Sequence, residues 1–252
     1  MRAVVVGASS GLGRCIGIGL VKRGAEVALL ARRVDKLESA VAEAGTGALA
    51  VACDVTDPAS CASSIAEAAE RLGGIDALVY TPAVGVLARL ADTDADTWRR
   101  VFDTNVTGAA VVTAAALPHL QASAGRAAYL SSVSASETKP WPGLGSYAVS
   151  KAALDKLVEA WRVEHPDVGF TRIVVGDCAG GEGDGMTQFA DGWDHDLAVE
   201  LGTGWVEKGL IAGSLIDVDD LVSAVDAVLR TGPSASIPSV TITPRPTKEE
   251  RR

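Results

Sequence analysis

Tyr147 and Lys151 stand four residues apart in the segment SYAVSK. Side chains at this spacing lie on the same face of a helix. A free tyrosine titrates near ~10 and exchanges protons poorly at neutral pH, but a nearby ammonium group would lower the pKa of the phenol. The pair therefore predicts proton exchange between Tyr147 and a substrate. The alternative is that the two side chains only pack together.

A second candidate site follows the first strand-like run, RAVVVG, in the pattern G-x-x-x-G-x-G formed by Gly7, Gly11 and Gly13. Glycines at a strand-to-helix turn let the backbone approach a pyrophosphate closely, and the helix that follows offers unpaired N–H groups to it. The hydroxyl groups of Ser9 and Ser10 could donate further hydrogen bonds. A glycine turn can also serve helix packing alone, but its place directly after a strand favours dinucleotide binding.

The end of the second strand-like run indicates which dinucleotide is bound. An acidic residue there would favour NAD by binding the ribose 2′-hydroxyl group, whereas this chain has Ala31 followed by Arg32 and Arg33. A guanidinium group suits the 2′-phosphate of NADP. The arginines could instead be solvated residues at the start of a helix, but cations there oppose the helix dipole unless an anion is bound. The sequence thus predicts NADP.

These residues must be positioned by an alternation of short apolar runs and Ala-rich segments. The apolar runs predict strands at 2–7, 25–31, 47–53, 75–80, 126–132, 169–175 and 236–242, and the segments between them predict helices at 12–23, 34–44, 58–72, 94–120, 146–164 and 217–230. Strict alternation with continuous apolar strands is typical of a parallel sheet covered on both faces. The prediction is a Rossmann-type, doubly wound α/β fold of about seven strands, in one domain over residues 1–252.

Two segments fall outside this alternation. Residues 176–193 are rich in glycine and acidic residues, and with the stretch up to residue 205 they predict a lid over the substrate. Residues 243–252 are polar and contain proline, which predicts a flexible tail. Four of the few aromatic residues lie in or beside the loops near the site: Trp141, Phe189, Trp193 and Trp205. They could line an apolar substrate pocket, pack the lid onto the body or bury a subunit contact.

Composition narrows the class of protein. The formal net charge of −9 and the lack of a basic run argue against nucleic acid and anionic membranes as partners. No apolar stretch of the sequence is long enough to span a bilayer, and no leader segment is recognisable. The four cysteines form no Cys-x-x-Cys pair, which argues against a zinc site and favours a reducing compartment. We therefore expect a cytoplasmic protein without a metal.

Several motifs, in order, resemble the short-chain dehydrogenase/reductase family over residues 1 to about 175. Beside the glycine turn, CDVTD resembles the segment that contacts adenine through Asp54 and Val55, FDTNVTG resembles the motif with a catalytic asparagine, YLSSVS resembles the end of the fifth strand, and YAVSK matches the Tyr-x-x-x-Lys signature. The resemblance implies a catalytic set of Asn105, Ser132, Tyr147 and Lys151. It implies a cofactor site made of Gly7, Ser9, Ser10, Gly11, Leu12, Gly13, Arg32, Arg33, Asp54, Val55, Thr81, Tyr147 and Lys151.

The resemblance also implies a role for each catalytic residue. Tyr147 would exchange a proton with the substrate oxygen while a hydride moves to or from the nicotinamide. Lys151 would stabilise the phenolate and bind the nicotinamide ribose. Ser132 would hold the substrate oxygen, and Asn105 would hold a water at an irregular point of a helix. The serine has an alternative, because counting along the strand selects Ser132 and counting back from Tyr147 selects Ser134.

The chain departs from the family pattern at three places. Val6 replaces a threonine before the glycine turn. Tyr80-Thr81-Pro82-Ala83 stands where the family has Asn-Asn-Ala-Gly, so the backbone of this segment would support the cofactor without the asparagine side chains. Gly176-Asp177 replaces Pro-Gly after the sixth strand. An acidic group near the cofactor would be unfavourable unless Asp177 points away.

Together these features predict an NADP-dependent oxidoreductase that interconverts a carbonyl and a secondary alcohol on a small to medium, partly apolar substrate. The departures leave alternatives: a non-catalytic dinucleotide-binding regulatory protein or redox sensor, or a dehydratase or epimerase acting on a nucleotide-sugar with the same Tyr and Lys. The resemblance further implies a homodimer or homotetramer, because the segments 94–120 and 146–164 have more apolar surface than one sheet face needs.

Overall fold

The computed structural model describes residues 1–181, 183–211, 213–232 and 234–245. The strands are β1 (Arg2–Val6), β2 (Glu26–Ala31), β3 (Ala48–Ala52), β4 (Ala77–Tyr80), β5 (Arg126–Ser132), β6 (Gly169–Val175) and β7 (Ser239–Ile242). Within the described residues these strands form one parallel sheet in the order β3-β2-β1-β4-β5-β6-β7. The predicted α/β fold with a seven-stranded parallel sheet is confirmed. β7 begins three residues later than predicted, after Pro238, which has no N–H group for a strand ladder.

Helices cover both faces of this sheet. They are α1 (Gly11–Lys22), α2 (Val34–Ala44), α3 (Pro58–Leu72), α4 (Ala95–Phe102), α5 (Gly108–Ser123), α6 (Val133–Ser136), α7 (Gly145–Glu164), α8 (His195–Glu207) and α9 (Val218–Leu229). Along β1, Ala3 and Val5 pack with α1, α2 and α9, while Val4 and Val6 pack with α3, α5 and α7. All four side chains are fully buried, as expected for a parallel strand between two helical layers.

The helix predicted at 94–120 is interrupted. α4 and α5 are joined by a π turn, Asp103–Thr107, and α5 continues to Ser123. The Tyr80 hydroxyl group donates a hydrogen bond of 2.5 Å to the Thr104 carbonyl, which satisfies a backbone acceptor of this turn. Gly108 follows the turn, and a Cβ atom there would lie 2.7 Å from the Tyr80 hydroxyl oxygen. The irregular point that the family resemblance implied near Asn105 is therefore present.

Two helices were not predicted. α8 lies in the lid segment (residues 176–205), where the Asp194 carboxylate caps the helix by accepting from the Leu197 N–H at 2.8 Å. Leu197, Leu201 and Trp205 recur at helical spacing, but Gly202 and Gly204 obscured this signal. The four-residue α6 follows β5 directly. Of the predicted tail, residues 243–245 have no regular structure, and residues 246–252 lie outside the described residues.

Candidate active site

A cavity of about 670 Å³ opens at the carboxyl ends of the strands. Its walls are the turn after β1, the ends of β2, β3, β4 and β5, the start of α7 and part of the lid segment. β1 pairs with β2 on one side and with β4 on the other, so the chain order reverses at this point of the sheet. Crevices at such a reversal are where doubly wound sheets bind their ligands. Every predicted catalytic and cofactor residue lines this cavity except Asn105.

The glycine turn brings α1 close to the end of β1. Gly7 and Gly11 have positive φ angles of 84° and 55°, which favour glycine. A Cβ atom on Gly13 would overlap the Gly7 carbonyl and the Thr81 hydroxyl group, and that hydroxyl donates to the Val6 carbonyl at 2.6 Å. The Ser10 side chain precedes α1 but makes no capping hydrogen bond to it. The first N–H groups of α1 therefore suit an anion such as a pyrophosphate.

Arg33 spans the outer edge of the glycine turn. Its guanidinium group donates to the Ser9 hydroxyl at 2.9 Å, to the Ser10 hydroxyl at 2.6 Å and to the Gln188 side-chain carbonyl at 2.6 Å. All of these acceptors among the described residues are uncharged, so the positive charge of Arg33 is available to a phosphate. Arg32 lines the same cavity and is exposed. Gln188 was not a predicted site residue, because it lies in a segment without periodicity.

Asp54 shapes the loop after β3. Its carboxylate accepts from the Thr56 N–H at 3.0 Å and from the Thr56 hydroxyl at 2.8 Å. These hydrogen bonds, the one from the backbone first, hold the pKa of Asp54 below its usual range, with a smaller contribution from the charge of Arg32. The carboxylate therefore stays ionised and holds the loop while Val55 presents its surface to the cavity.

Tyr147 and Ser132 meet at the other end of the cavity. Ser132 and Tyr147 both line the cavity, and Ser132 acts to lower the pKa of the phenol. The Ser132 oxygen lies 3.0 Å from that of Ser134. Ser132 ends β5 and also caps α6 by accepting from the Ser134 N–H at 3.3 Å, which explains the extra residues between the serine and the tyrosine. Both serines line the cavity, and of the two it is Ser132 that acts on the pKa of Tyr147.

Lys151 lies one turn beyond Tyr147 on α7, with its Nζ atom 5.7 Å from the centre of the Tyr147 ring. The ammonium group donates to the Leu130 carbonyl at 2.7 Å and is 2% exposed. Burial lowers the pKa of Lys151 to about 8, an effect that the charge of Asp155 partly opposes. Lys151 thus combines a short distance to the phenol with a weakened hold on its own proton.

The pKa of Tyr147 differs from the predicted direction. Burial raises the pKa of the phenol to about 12, and only the hydrogen bond from Ser132 acts to lower it. The charge of Lys151 does not overcome burial because its ammonium group is directed to the Leu130 carbonyl. In the protein without cofactor the phenol is therefore a neutral group at physiological pH.

Asn105 lies in the π turn and is fully buried. Its side-chain oxygen accepts from the Val84 N–H at 2.7 Å, and its amide donates to the Val84 carbonyl at 3.0 Å and to the Ser150 hydroxyl at 2.9 Å. The Ser150 hydroxyl in turn donates to the Tyr147 carbonyl at 2.7 Å. Asn105 therefore ties the loop after β4 to the helix that carries Tyr147.

The four aromatic residues divide between two tasks. The Phe189 ring meets the Tyr147 ring edge-on at 4.8 Å, and Trp193 meets Phe189 in the same way at 5.4 Å. Trp205 packs against Trp193 at 6.2 Å and against Trp141 at 5.2 Å. Phe189 and Trp141 line the cavity, whereas Trp193 and Trp205 hold the lid segment to the body. Two of the predicted roles of these aromatic residues are therefore observed: Phe189 and Trp141 form part of the pocket wall, and Trp193 and Trp205 pack the lid segment onto the body.

The family described as short chain dehydrogenase matches residues 1–190 of the chain. The matched part includes the glycine turn, Ser132, Tyr147 and Lys151. The chain belongs to the short-chain dehydrogenase family. The family assignment made from the motifs is thereby confirmed, and the members of this family are oxidoreductases.

Individual members of the family show how far the likeness extends. Over 69% of its length the chain is 33% identical to 11-beta-hydroxysteroid dehydrogenase A of Sesamum indicum, and the match covers 51% of that protein. The chain thus spans about half the length of this curated relative.

Solved structures resemble the chain over nearly its whole length. An alcohol dehydrogenase from Thermococcus sibiricus, complexed with 5-hydroxy-NADP, has a TM-score of 0.78, 23% identity and coverage of 95% of this chain and 94% of its own. A 3-ketoacyl-(acyl-carrier-protein) reductase from Brucella melitensis, complexed with NADH, has a TM-score of 0.80, 21% identity and coverage of 96% of both chains. At these identities the likeness shows the fold, and the two titles name different dinucleotides.

Two departures from the short-chain dehydrogenase pattern have structural reasons. Tyr80 fills the buried layer beneath the π turn, where its hydroxyl group bonds to Thr104. Thr81 occupies the narrow space beside Gly7 and Gly13. Asp177 does line the cavity, and its backbone carbonyl accepts from the Ile216 N–H at 2.8 Å, which fixes the start of the lid segment.

The described residues of this family member contain no group of three metal-ligating side chains. None of the described helices combines the length and the apolarity needed to cross a membrane.

Proposed function

We propose that the protein is an NADP-dependent oxidoreductase that interconverts a carbonyl and a secondary alcohol on a small to medium, partly apolar substrate. The observation that carries the proposal is one continuous cavity with the Ser132–Tyr147–Lys151 group at one end and the glycine turn with Arg33 at the other. A dinucleotide is long enough to bridge two such ends, and when bound it supplies the hydride.

The protein's own residues would perform the proton chemistry. The neutral phenol of Tyr147 would donate a proton to the substrate oxygen during reduction, and Ser132 would hold that oxygen by a hydrogen bond. Lys151, still protonated below its pKa of about 8, would stabilise the phenolate that remains. Asn105 would keep the loop after β4 and α7 at a fixed separation.

The choice of NADP rests on Arg32 and Arg33. Arg33 already lies over the glycine turn, within hydrogen-bond distance of Ser9 and Ser10. A phosphate placed there would receive a guanidinium group and two hydroxyl groups. A cation in this position gives no comparable advantage to the uncharged ribose of NAD.

A non-catalytic dinucleotide-binding protein is the second candidate. It is favoured by the Phe189 ring that lies against Tyr147. A redox sensor of this kind would bind NADPH and transfer no hydride.

Single-turnover oxidation of NADPH with a panel of carbonyl compounds separates the two candidates. Tyr147→Phe should reduce the rate by about 10²–10⁴-fold, since a general acid is lost, and should leave NADPH affinity nearly unchanged. Ser132→Ala should also slow the reaction, and by more than Ser134→Ala. The control is Tyr129→Phe, which removes a buried hydroxyl bonded to Thr113 outside the cavity. Wild-type rates in Tyr147→Phe would refute a catalytic tyrosine, and NADPH binding without turnover in every protein would support the second candidate.

The proposal includes a homodimer or homotetramer in the cytoplasm. On α7, Val149 and Val163 are 49% and 81% exposed and lie on nearly the same side of the helix. Exposed apolar residues on one side of a helix support pairing with a second copy. The four cysteines are all unpaired, which fits a reducing compartment.

A further inference from the structure

The side chain of Phe189 is held in one position beside Tyr147. Its ring meets the Tyr147 ring edge-on at 4.8 Å. The far side of the ring packs so closely on Gly85 that a Cβ atom there would overlap it. Trp193 contacts Phe189 edge-on at 5.4 Å and donates from its indole N–H to the Gly85 carbonyl at 3.0 Å. The position of Phe189 is thus set by three neighbours, one of which must be glycine.

The space that Phe189 restricts is where a substrate has to lie. A carbonyl oxygen that reaches the Tyr147 hydroxyl group places the rest of the substrate against the side chains around it. Beside Phe189, the described apolar side chains that line this end of the cavity are Val84, Val133, Trp141 and Leu144. An apolar wall of this kind binds the non-reacting part of a substrate by excluding water.

The charges of the cavity argue against an anionic substrate. Of the cationic side chains among the described lining residues, Arg32 and Arg33 lie at the cofactor end and Lys151 lies beneath Tyr147. The acidic side chains among the described lining residues are Asp54, Asp177 and Asp191. A carboxylate or phosphate on the substrate would therefore find, among the described lining residues, no cation outside the cofactor end except Lys151, which donates to the Leu130 carbonyl.

We propose that Phe189 is the residue that determines substrate choice, and that it admits uncharged carbonyl compounds with a planar apolar group next to the carbonyl. The inference rests on the proposed function. To reach Tyr147 a substrate must displace the Phe189 ring from its edge-on contact. An aromatic substrate replaces that contact with one of the same kind, whereas a saturated ring of similar size restores only the burial of apolar surface.

The test changes the contact from both sides. Phe189→Ala removes the ring, and Gly85→Ala keeps the ring but places a Cβ atom in the space that the ring now occupies. Gly202→Ala on α8 is the matched control, because a Cβ atom there meets no neighbour within 4 Å. The probes are acetophenone, 2-acetonaphthalene and cyclohexyl methyl ketone, each assayed for kcat/KM with saturating NADPH.

Wild-type protein should prefer acetophenone to cyclohexyl methyl ketone by roughly 3–10-fold. In Phe189→Ala, kcat/KM for 2-acetonaphthalene relative to acetophenone should rise by about tenfold or more, as expected when a hydrophobic pocket gains space. In Gly85→Ala the same ratio should fall, because the added Cβ atom presses the Phe189 ring toward Tyr147. Gly202→Ala should keep the wild-type ratios. Unchanged ratios in both site variants would overturn the role of Phe189, and a preference for benzoylformate over acetophenone would overturn the uncharged substrate class.

A binding measurement keeps this inference separate from the proposed reaction. The same ketones are titrated into each protein with NADP⁺ present, and binding is followed by tryptophan fluorescence. If wild type reduces no ketone but Phe189→Ala still shifts binding toward the larger ring, the proposed reaction fails and the role of Phe189 stands. If wild type reduces ketones and neither binding nor kcat/KM depends on Phe189, the reaction stands and this inference fails.

Discussion

The buried ammonium group of Lys151 should reduce the stability of the folded protein, and the cost should depend on pH. Lys151 is 2% exposed, and its ammonium group donates to the Leu130 carbonyl. Burial disfavours the charged form, which is why its pKa falls from 10.5 to about 8. Lys151→Met removes the charge while keeping a long, unbranched side chain.

The magnitude follows from linkage between protonation and folding. A lysine whose pKa is lower in the folded than in the unfolded state destabilises the folded protein as long as it is charged there. This cost in unfolding free energy is full below the folded pKa and disappears as pH rises through the unfolded pKa. With values of about 8 and 10.5, the cost is about 3 kcal/mol at pH 7 and falls below about 1 kcal/mol at pH 10. Wild type should therefore gain about 2.5 kcal/mol relative to Lys151→Met over this range. Loss of the hydrogen bond to Leu130 adds about 1–3 kcal/mol against the variant, but this part does not change with pH.

Urea unfolding of the protein without cofactor, at pH 7 and at pH 10, measures the difference. Lys156→Met is the control, because Lys156 lies on the same helix but is 79% exposed and pairs only with Glu159. This control should show no pH-dependent difference from wild type. If Lys151→Met and wild type keep a constant difference in unfolding free energy between pH 7 and pH 10, the ammonium group is not destabilised by burial, and the account of Lys151 given above is wrong.

Two further predictions concern the cofactor and the assembly. Arg32→Ala and Arg33→Ala should each weaken NADPH binding by about tenfold or more and leave NADH binding nearly unchanged, as expected for loss of a charge-assisted hydrogen bond to phosphate. Fluorescence titration of both cofactors measures this, and Arg230→Ala at the C-terminal end of the distant α9 is the control. Equal wild-type affinities for NADPH and NADH would contradict the prediction. Light scattering should report a dimer or tetramer at micromolar concentration, and replacing Val163 by Asp should shift it toward the monomer if α7 forms the contact.

The sheet could be predicted from sequence because each strand leaves a local signal. Continuous apolar runs such as Ala77–Tyr80 and Ala3–Val6 are buried on both faces, so their burial requires no knowledge of distant residues. The glycine turn could also be predicted from the sequence, since Gly7, Gly11 and Gly13 follow a strand and begin a helix. Motifs in sequence order therefore located both ends of the cavity.

The remaining features depend on tertiary contacts that no local pattern records. Gln188 and Phe189 lie in a segment without periodicity, and their importance comes from Arg33 and Tyr147, more than 40 residues away in sequence. The sequence also could not show that the pKa of Tyr147 is raised and not lowered. Helical spacing shows that Lys151 is near the phenol, but it does not show that Lys151 is buried and Tyr147 half-buried, or that the ammonium group bonds to Leu130.

The partial burial of Tyr147 bears on its proposed role as a proton donor. Carbonyl reduction needs the neutral phenol as proton donor, whereas alcohol oxidation needs the phenolate. With a pKa of about 12 the phenol of the cofactor-free protein is neutral throughout the physiological range, and Lys151 is mostly protonated below pH 8. This is the pair of protonation states that reduction requires at the start of a turnover. The lower phenol pKa predicted from the Tyr-x-x-x-Lys spacing would therefore require bound cofactor to offset the burial.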